Sequence, residues 1–405
     1  MSGTPLKKTA DAVVIGGGCN GTATALFLAK RGMKNVVLLE KNYLTSGATE
    51  DSIGNLRPYS SIETTARICQ KGIEVFKNFD DVIGGHCGHV QDGRIWAVSP
   101  QRVKILEKAV ADHQGWGIKV KMISPEDVKE MLPQAEVDGI GAAAFFEEAG
   151  NCDTVATTNS YAARARELGV SIYEETEATG ISLSGGRVKS VATSRGEIST
   201  PVVVNAAGLW SDRVGKMAGL KIPMSVHREQ NVLLKRPYDF YGIFPCFHDG
   251  VGELGYRCKR PDLEELILVF ITYVIVPPDI VDPDNYNDAA DKEFIGKTLV
   301  EAYKRMPILK RASLRGGATG LYDMTPDESP VFGAVPEVTG YYCNCGWSGR
   351  GFMSSPVMGD LMAELVTTGK TSIDVSLYRL SRFEEGKLLE SGFYPEEEWE
   401  ENQPA

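Results

Sequence analysis

Residues 12–40 read AVVIGGGCNGTATALFLAKRGMKNVVLLE, and the reading starts at Gly16-Gly17-Gly18-Cys19-Asn20-Gly21. The four apolar residues before it form a short buried strand. The spacing from Thr22 to Lys30 predicts a helix, and Val36 to Leu39 a second strand, so the segment is a complete strand–turn–helix–strand unit. Gly16 permits a tight turn, Gly18 lets backbone approach a pyrophosphate, and Gly21 lets the helix pack close to the strand. The start of the helix, at Cys19 and Asn20, then offers amide groups and a partial positive charge to phosphate. Glu40 ends the second strand, where a carboxylate meets ribose hydroxyls, with Lys41 beside it. A glutamate there argues against a 2′-phosphate but does not separate NAD from FAD.

Composition narrows the remaining choices. The chain has 405 residues, 42% of them hydrophobic and 24% charged, which predicts two globular domains. Its 43 Lys and Arg against 54 Asp and Glu give a net charge of −11, with no general pull on nucleic acid or anionic membranes. The eight cysteines are scattered without zinc-finger spacing, and the five histidines (86, 89, 113, 227 and 248) show no metal-ligand spacing, so no metal is expected. The apolar run from Leu266 to Pro278 is too short to span a bilayer, and residues 7–18 lack a signal-peptide pattern. The expectation is a cytoplasmic protein with no integral membrane segment.

Further along, Ser61 to Phe79 reads as a long helix and residues 87–98 as a strand pair around Gln91-Asp92-Gly93. Helical patterns follow near 101–113 and 125–131, and Asp153 caps a helix reaching about Leu168. Strands are expected near 170–174, 178–184 and 187–194, then at Val202 to Val204. Residues 226–273 alternate like a sheet. A helix near 290–305, strands at 312–321 and 341–344, and a last helix at about 354–367 complete the pattern. Pro395 to Ala405 is acidic and expected to fray.

Five segments in order carry a resemblance beyond the nucleotide motif. They are Thr45 to Pro58, with Gly47, Ala48 and Thr49; Thr176 to Gly180, with Ala178; Val202 to Trp210, with Ala207 and Gly208; Tyr322 to Asp327, followed by Pro330 and Gly333; and Gly346-Trp347-Ser348-Gly349-Arg350-Gly351-Phe352. Together they resemble the D-amino-acid-oxidase-type flavoprotein superfamily, in the branch of glycine oxidase and the sarcosine oxidases, over about residues 10–390. The resemblance implies an α/β (mixed α+β) fold class, with a Rossmann-like βαβ FAD-binding domain and a mostly antiparallel substrate sheet. It places the FAD domain at 1–85, 146–225 and 323–375, the substrate domain at 86–145 and 226–322, and a tail at 376–405. It also implies noncovalent FAD, with the first four segments and the glycine loop around it, and the last helix aimed at the flavin.

The function implied is FAD-dependent oxidation of a small secondary or N-methylated amine or amino acid, by hydride transfer that leaves a hydrolysable imine. The flavin carries that chemistry, so no nucleophilic triad is required. Arg57 is the candidate for a substrate or flavin contact, and Arg350 for stabilising reduced flavin or reaching a substrate carboxylate, since a guanidinium fork matches a carboxylate. Tyr322, Tyr256 and Tyr273 are candidates for an aromatic wall. Three departures stand out: Met353 where sarcosine oxidases have a lysine, Cys152 where the heterotetrameric β subunits hold a second flavin through histidine, and no alignable oxygen-activating lysine. Two rivals remain: an NAD-dependent Rossmann dehydrogenase, which leaves 202–210 and 346–352 unexplained, and a flavin-carrying subunit with a structural or electron-transfer role. A partner subunit or a homo-oligomer fits the family.

Overall fold

A computed structural model describes residues 5–258, 266–271 and 279–389. The strands Ala12–Ile15 and Val36–Leu39 are apolar and buried at every position, as strands covered on both faces must be. They sit inside a six-stranded sheet in the order 331–334, 341–345, 203–205, 12–15, 36–39, 171–173. All pairings are parallel except that of Val331–Ala334 with Tyr341–Cys345. Three distant stretches of chain therefore build one nucleotide-binding sheet.

One face of this sheet is covered by the helices Cys19–Lys30, Glu63–Lys77, Thr154–Glu167 and Gly351–Thr368, with Leu26, Phe76, Tyr161 and Met358 in the shared core. A methyl group on Gly359 would lie 2.7 Å from the Ala23 side chain, so the first and last of these helices cross almost backbone to backbone. The other face is covered by the three-stranded sheet spanning 178–199 and the helix Ser211–Met217.

A second sheet has eight strands, in the order 313–324, 225–235, 266–271, 254–258, 246–249, 94–98, 142–146, 120–123. Its pairings are antiparallel apart from Cys246–Asp249 against Arg94–Val98. One row crosses the sheet through Asn231, Phe270, Gly255, His248, Trp96 and Ala144. Strand alternation puts the neighbouring row, Val232, Val269, Tyr256, Phe247 and Ile95, on the opposite face. That opposite face packs on the helix Lys292–Arg305 and forms its own core.

The strand pair expected across residues 87–98 is corrected. Only Arg94–Val98 is a strand; residue 90 makes a single bridge to Asn151. Gly93 turns the chain with φ 73°, and Arg94–Val98 finds its partners in 142–146 and 246–249 instead. Residues 376–389, assigned in sequence to a tail, fold back on the nucleotide-binding half as two short 3₁₀ turns. Residues 390–405, including the expected frayed end, lie outside the described residues.

That return is fixed by charge. Arg382 Nε and Nη2 donate to Asp327 Oδ2 and Oδ1 at 2.8 and 2.9 Å, and both side chains are essentially inaccessible. Arg382 also donates to the carbonyls of Tyr378 and Ser329. Removing one member of a buried, fully bonded ion pair leaves the other charge uncompensated. Arg382→Met is therefore expected to lower unfolding free energy by about 3–5 kcal/mol in chemical denaturation; a loss below 1 kcal/mol contradicts this account.

Candidate cofactor and substrate site

The site begins where three backbones touch. A methyl group on Gly16, whose φ is 117°, would lie 2.2 Å from the Ala206 carbonyl oxygen, and one on Gly21 would lie 1.9 Å from the Gly16 oxygen. Only glycine permits both contacts. The Gly17 amide donates to Glu40 Oε2 at 2.7 Å and the Asn42 amide to Oε1 at 2.8 Å, so the acid at the second strand's end is held facing the turn. Cys19 N–H donates to Thr49 Oγ1 at 3.2 Å, tying the helix start to the loop 46–49.

A cavity of about 450 Å³ extends from this turn between the two sheets. At its nucleotide end lie Glu40, Lys41, Ala178, Ala207 and Gly208. The Lys41 ammonium sits 3.7 Å from the centre of the Trp210 ring and 2.8 Å from Asp284. Trp210 Nε1 and Arg213 also donate to Asp284. These donors hold the Asp284 carboxyl down at about 2 against the opposing effect of its partial burial.

The glycine loop closes the other end. Gly346, Ser348 and Gly349 all have positive φ, and Trp347 N–H donates to Asp323 Oδ2 at 3.1 Å. Burial pushes the Asp323 carboxyl up to about 6, although backbone amides pull it the other way. Asn20 Nδ2 donates to the Gly351 carbonyl at 3.3 Å, so the starts of the helices Cys19–Lys30 and Gly351–Thr368 meet across the cavity. Gly47, Ala48, Gly349, Phe352 and Met353 line the space between them.

These residues fit FAD. Two long helices present their first-turn amides to one elongated cavity, which suits a pyrophosphate at one point and an electron-rich ring edge at another. A methyl group on Gly351 would fall 2.9 Å from Asn20, so the cradle depends on the missing side chain. Asn20 Oδ1 is buried with no hydrogen-bond partner among the described residues, an acceptor turned toward a donor that the protein does not supply.

The roof is the eight-stranded sheet. Arg57 donates to the Gly349 carbonyl at 3.4 Å and to Tyr59 Oη at 3.3 Å, which fixes it beside the glycine loop. Tyr322 lines the same cavity. Trp96 and His248 stack at 3.8 Å between ring centres, with Tyr59 edge-on to Trp96 at 4.8 Å. Arg94 Nη1 donates to Cys246 Sγ at 3.3 Å and Nη2 to His248 Nδ1 at 3.5 Å. A guanidinium only donates, so His248 accepts at Nδ1 and carries its proton on Nε2. Burial first, then Arg94 and Arg57, push His248 well below its ordinary range, and its ring is neutral.

Several expected site residues lie elsewhere. Arg350 turns away from the cavity and donates to the Glu328 carbonyl, with Cys69 and Tyr378 close enough to feel its charge. The helix beginning at Gly351 carries its side chain behind the loop. Tyr256 stands on the far face of the sheet, stacked on Phe247 within the core, because strand alternation gives it the wrong parity. Gly21, Gly346 and Ser348 support the cavity from behind: Gly346 against Thr325, and Ser348 Oγ on the Thr325 amide. Cys152 is buried under the 45–58 loop, its amide bonded to Gly54, and does not line the cavity. Tyr273 lies outside the described residues. Arg94, Trp96 and His248 were not picked out in the sequence; the alternation Arg94-Ile95-Trp96 was the available signal, since it sets a cation and a ring on one face.

Comparison with known proteins agrees with this geometry. The family model described as DAO, FAD dependent oxidoreductase, matches residues 11–365. Human mitochondrial sarcosine dehydrogenase is 29% identical over 399 residues, covering 94% of this chain and 42% of the relative. The chain thus spans less than half the length of that relative. Sarcosine oxidase subunit beta of Rhodobacter capsulatus is 27% identical, covering 95% of this chain and 91% of the relative. The crystal structure of L-proline dehydrogenase from P. horikoshii superposes with a TM-score of 0.87 at 30% identity, covering 95% of this chain and all of that one. Among the described residues no helix is long and apolar enough to cross a membrane, and no cluster of His, Cys, Asp and Glu suits a metal.

Asp323 gives a test by pH. Its folded-state pKa of about 6 exceeds the ordinary 3.8, so between these values the folded protein keeps a proton that the unfolded chain releases. Stability therefore falls as pH rises from about 4 to about 6. Asp323→Asn removes this component: wild-type stability relative to the variant should drop by about 2–3 kcal/mol between pH 4 and pH 7. Denaturation curves at four pH values check it, and a flat or rising difference refutes it.

Proposed function

The chain belongs to the FAD dependent oxidoreductase family, and from that premise we propose that it oxidises the C–N bond of a small amino acid bearing a secondary or N-methylated amine. FAD, when bound, supplies the hydride acceptor. The chain supplies binding, orientation and exclusion of water. The observation that carries the reading is the position of Arg57, held by the Gly349 carbonyl and Tyr59 at the glycine-loop end of the same cavity whose other end is the nucleotide turn.

In this reading the Arg57 fork holds the substrate carboxylate, while Trp96, Tyr322 and Phe270 wall the cavity and keep water from the reacting carbon. Neutral His248 presents Nε2–H as an uncharged donor. Asp323 fixes the loop beneath by accepting from Trp347. The names of the sarcosine dehydrogenase and L-proline dehydrogenase relatives support a secondary amino acid as the substrate class. The NAD-dependent alternative needs only residues 10–40, whereas the family match runs over 11–365.

A second reading, favoured by the relative named as a subunit, has the chain working as the flavin-carrying part of a larger assembly. The two separate in one experiment. Anaerobic addition of sarcosine, dimethylglycine, proline and related amines to the purified yellow protein should bleach the visible flavin band with at least one compound. Bleaching only after a second chain is added supports the assembly. A protein that cannot be loaded with FAD overturns both. Arg57→Met should raise KM for the active amino acid roughly tenfold to hundredfold, in line with about 1.5–3 kcal/mol for a hydrogen bond to a charged group; an unchanged KM removes Arg57 from the substrate site.

A further inference from the structure

Arg94 is the buried group that the proposed reaction leaves unused. Its residue is 3% exposed. It lies two residues along the strand from Trp96, on the same cavity-facing side of the sheet, and it lines that cavity. Its partners are a thiol and a neutral imidazole, Cys246 Sγ and His248 Nδ1. Among the described residues Arg94 has no ion pair, and its Nε has no hydrogen-bond partner at all.

The nearby Asp92 carboxyl forms no ion pair with it among the described residues. Asp92 lies close enough for Arg257 and Arg94 to act on it, yet burial dominates and pushes it up to about 6. One Asp92 oxygen accepts from Asn151 at 2.8 Å, and among the described residues the other has no partner. The charged groups that act on Cys246 are Arg94, Arg257, Asp92 and Arg57, three cations against one acid. A guanidinium cannot shed its proton at physiological pH, so a buried one without an anion hydrogen-bonded to it is costly.

Arg57 and Arg94 also share a ring. Each guanidinium carbon lies 5.4 Å from the centre of the Tyr59 ring, which bounds their separation at twice that distance. Both line one cavity. Small dicarboxylates span such a gap, with one carboxylate on each fork. We infer that the substrate carries a second carboxylate, held by Arg94 and the Nε2–H of His248, so that the preferred substrate is an amino acid with an additional acidic arm.

This inference rests on the proposed placement of the first carboxylate at Arg57, and its test is chosen to stand apart from the oxidation itself. The probes are two thioethers that carry no amine, thiodiacetate and (methylthio)acetate, which differ by one carboxylate. Each is titrated into the FAD-loaded holoenzyme, and the dissociation constant is read from the change in the visible flavin spectrum. Thiodiacetate should bind at least tenfold more tightly. In Arg94→Met the ratio of the two constants should fall to near one. Arg94→Lys, which keeps the charge but not the fork, should retain a ratio between those of the wild type and the methionine variant. Flavin content and melting temperature of both variants report whether they fold, and the lysine variant keeps the test open if the methionine variant does not.

Equal affinities in the wild type overturn the inference. So does a spectrum that neither acid perturbs, or an Arg94→Met that weakens both acids by the same factor, which makes Arg94 part of a single carboxylate site. If thiodiacetate binds more tightly while no amine bleaches the flavin, the oxidation reading fails and the second anion site stands.

Discussion

Gly16, Gly21 and Ala206 bring three backbones together with no room for a side chain, and the geometry of the site follows from that contact. It sets the end of the first strand, the start of the first helix and the 206–208 turn against one another. The helix N-terminus then has one available direction. Asn20, in the first turn of this helix, reaches Gly351 at the start of the last helix, and Gly359 in that helix lies against Ala23. Asn20 and Gly351, 331 residues apart in sequence, thus bring two helix N-termini to one cavity. Adding a methyl group at any of these glycines pushes apart elements that must be in contact for the amides to share a ligand.

The second constraint is parity in the eight-stranded sheet. Successive side chains on a strand face opposite ways, so each strand divides its residues between an apolar core and the cavity. Ile95, Phe247 and Tyr256 go to the core; Arg94, Trp96 and His248 go to the cavity. The cavity face carries Arg94, Trp96 and the neutral imidazole of His248. The core face carries the apolar burial that keeps the sheet in place against the helix at 292–305. The same alternation serves both the core and the lining of the cavity.

Legibility in the sequence was uneven for physical reasons. The nucleotide unit could be read from residues 12–40 because its determinants are local: a buried strand, glycines at fixed offsets, a helix and an acid. The flavin segments were recognisable as a set because several are glycine loops or turns whose backbone conformations restrict the residue choice. The substrate side was less legible. Tyr256 looked like a wall residue because aromatic character says nothing about the face on which a strand residue lies. Arg350 looked like a ligand residue because its neighbours are, yet its own side chain leaves behind the loop toward Glu328. Arg94 and His248, 154 residues apart, meet through a parallel strand pairing that no local pattern announces. The strand expected at 87–91 gave way because Gly93 turns the chain before pairing can extend.

The sequence by itself determined the cofactor half: a doubly covered parallel sheet, a glycine turn backed by Glu40, and a second glycine loop opening the last helix. These are consequences of backbone sterics and burial within short windows, where residue type and conformation are tightly linked. Only the tertiary structure decided which side chains face the cavity, that Arg382 closes on Asp327, and that Arg57 and Arg94 share the Tyr59 ring. Those outcomes depend on strand register and on contacts between distant segments. Register is set by how the whole sheet packs, and a shift of one residue would exchange the cavity face for the core.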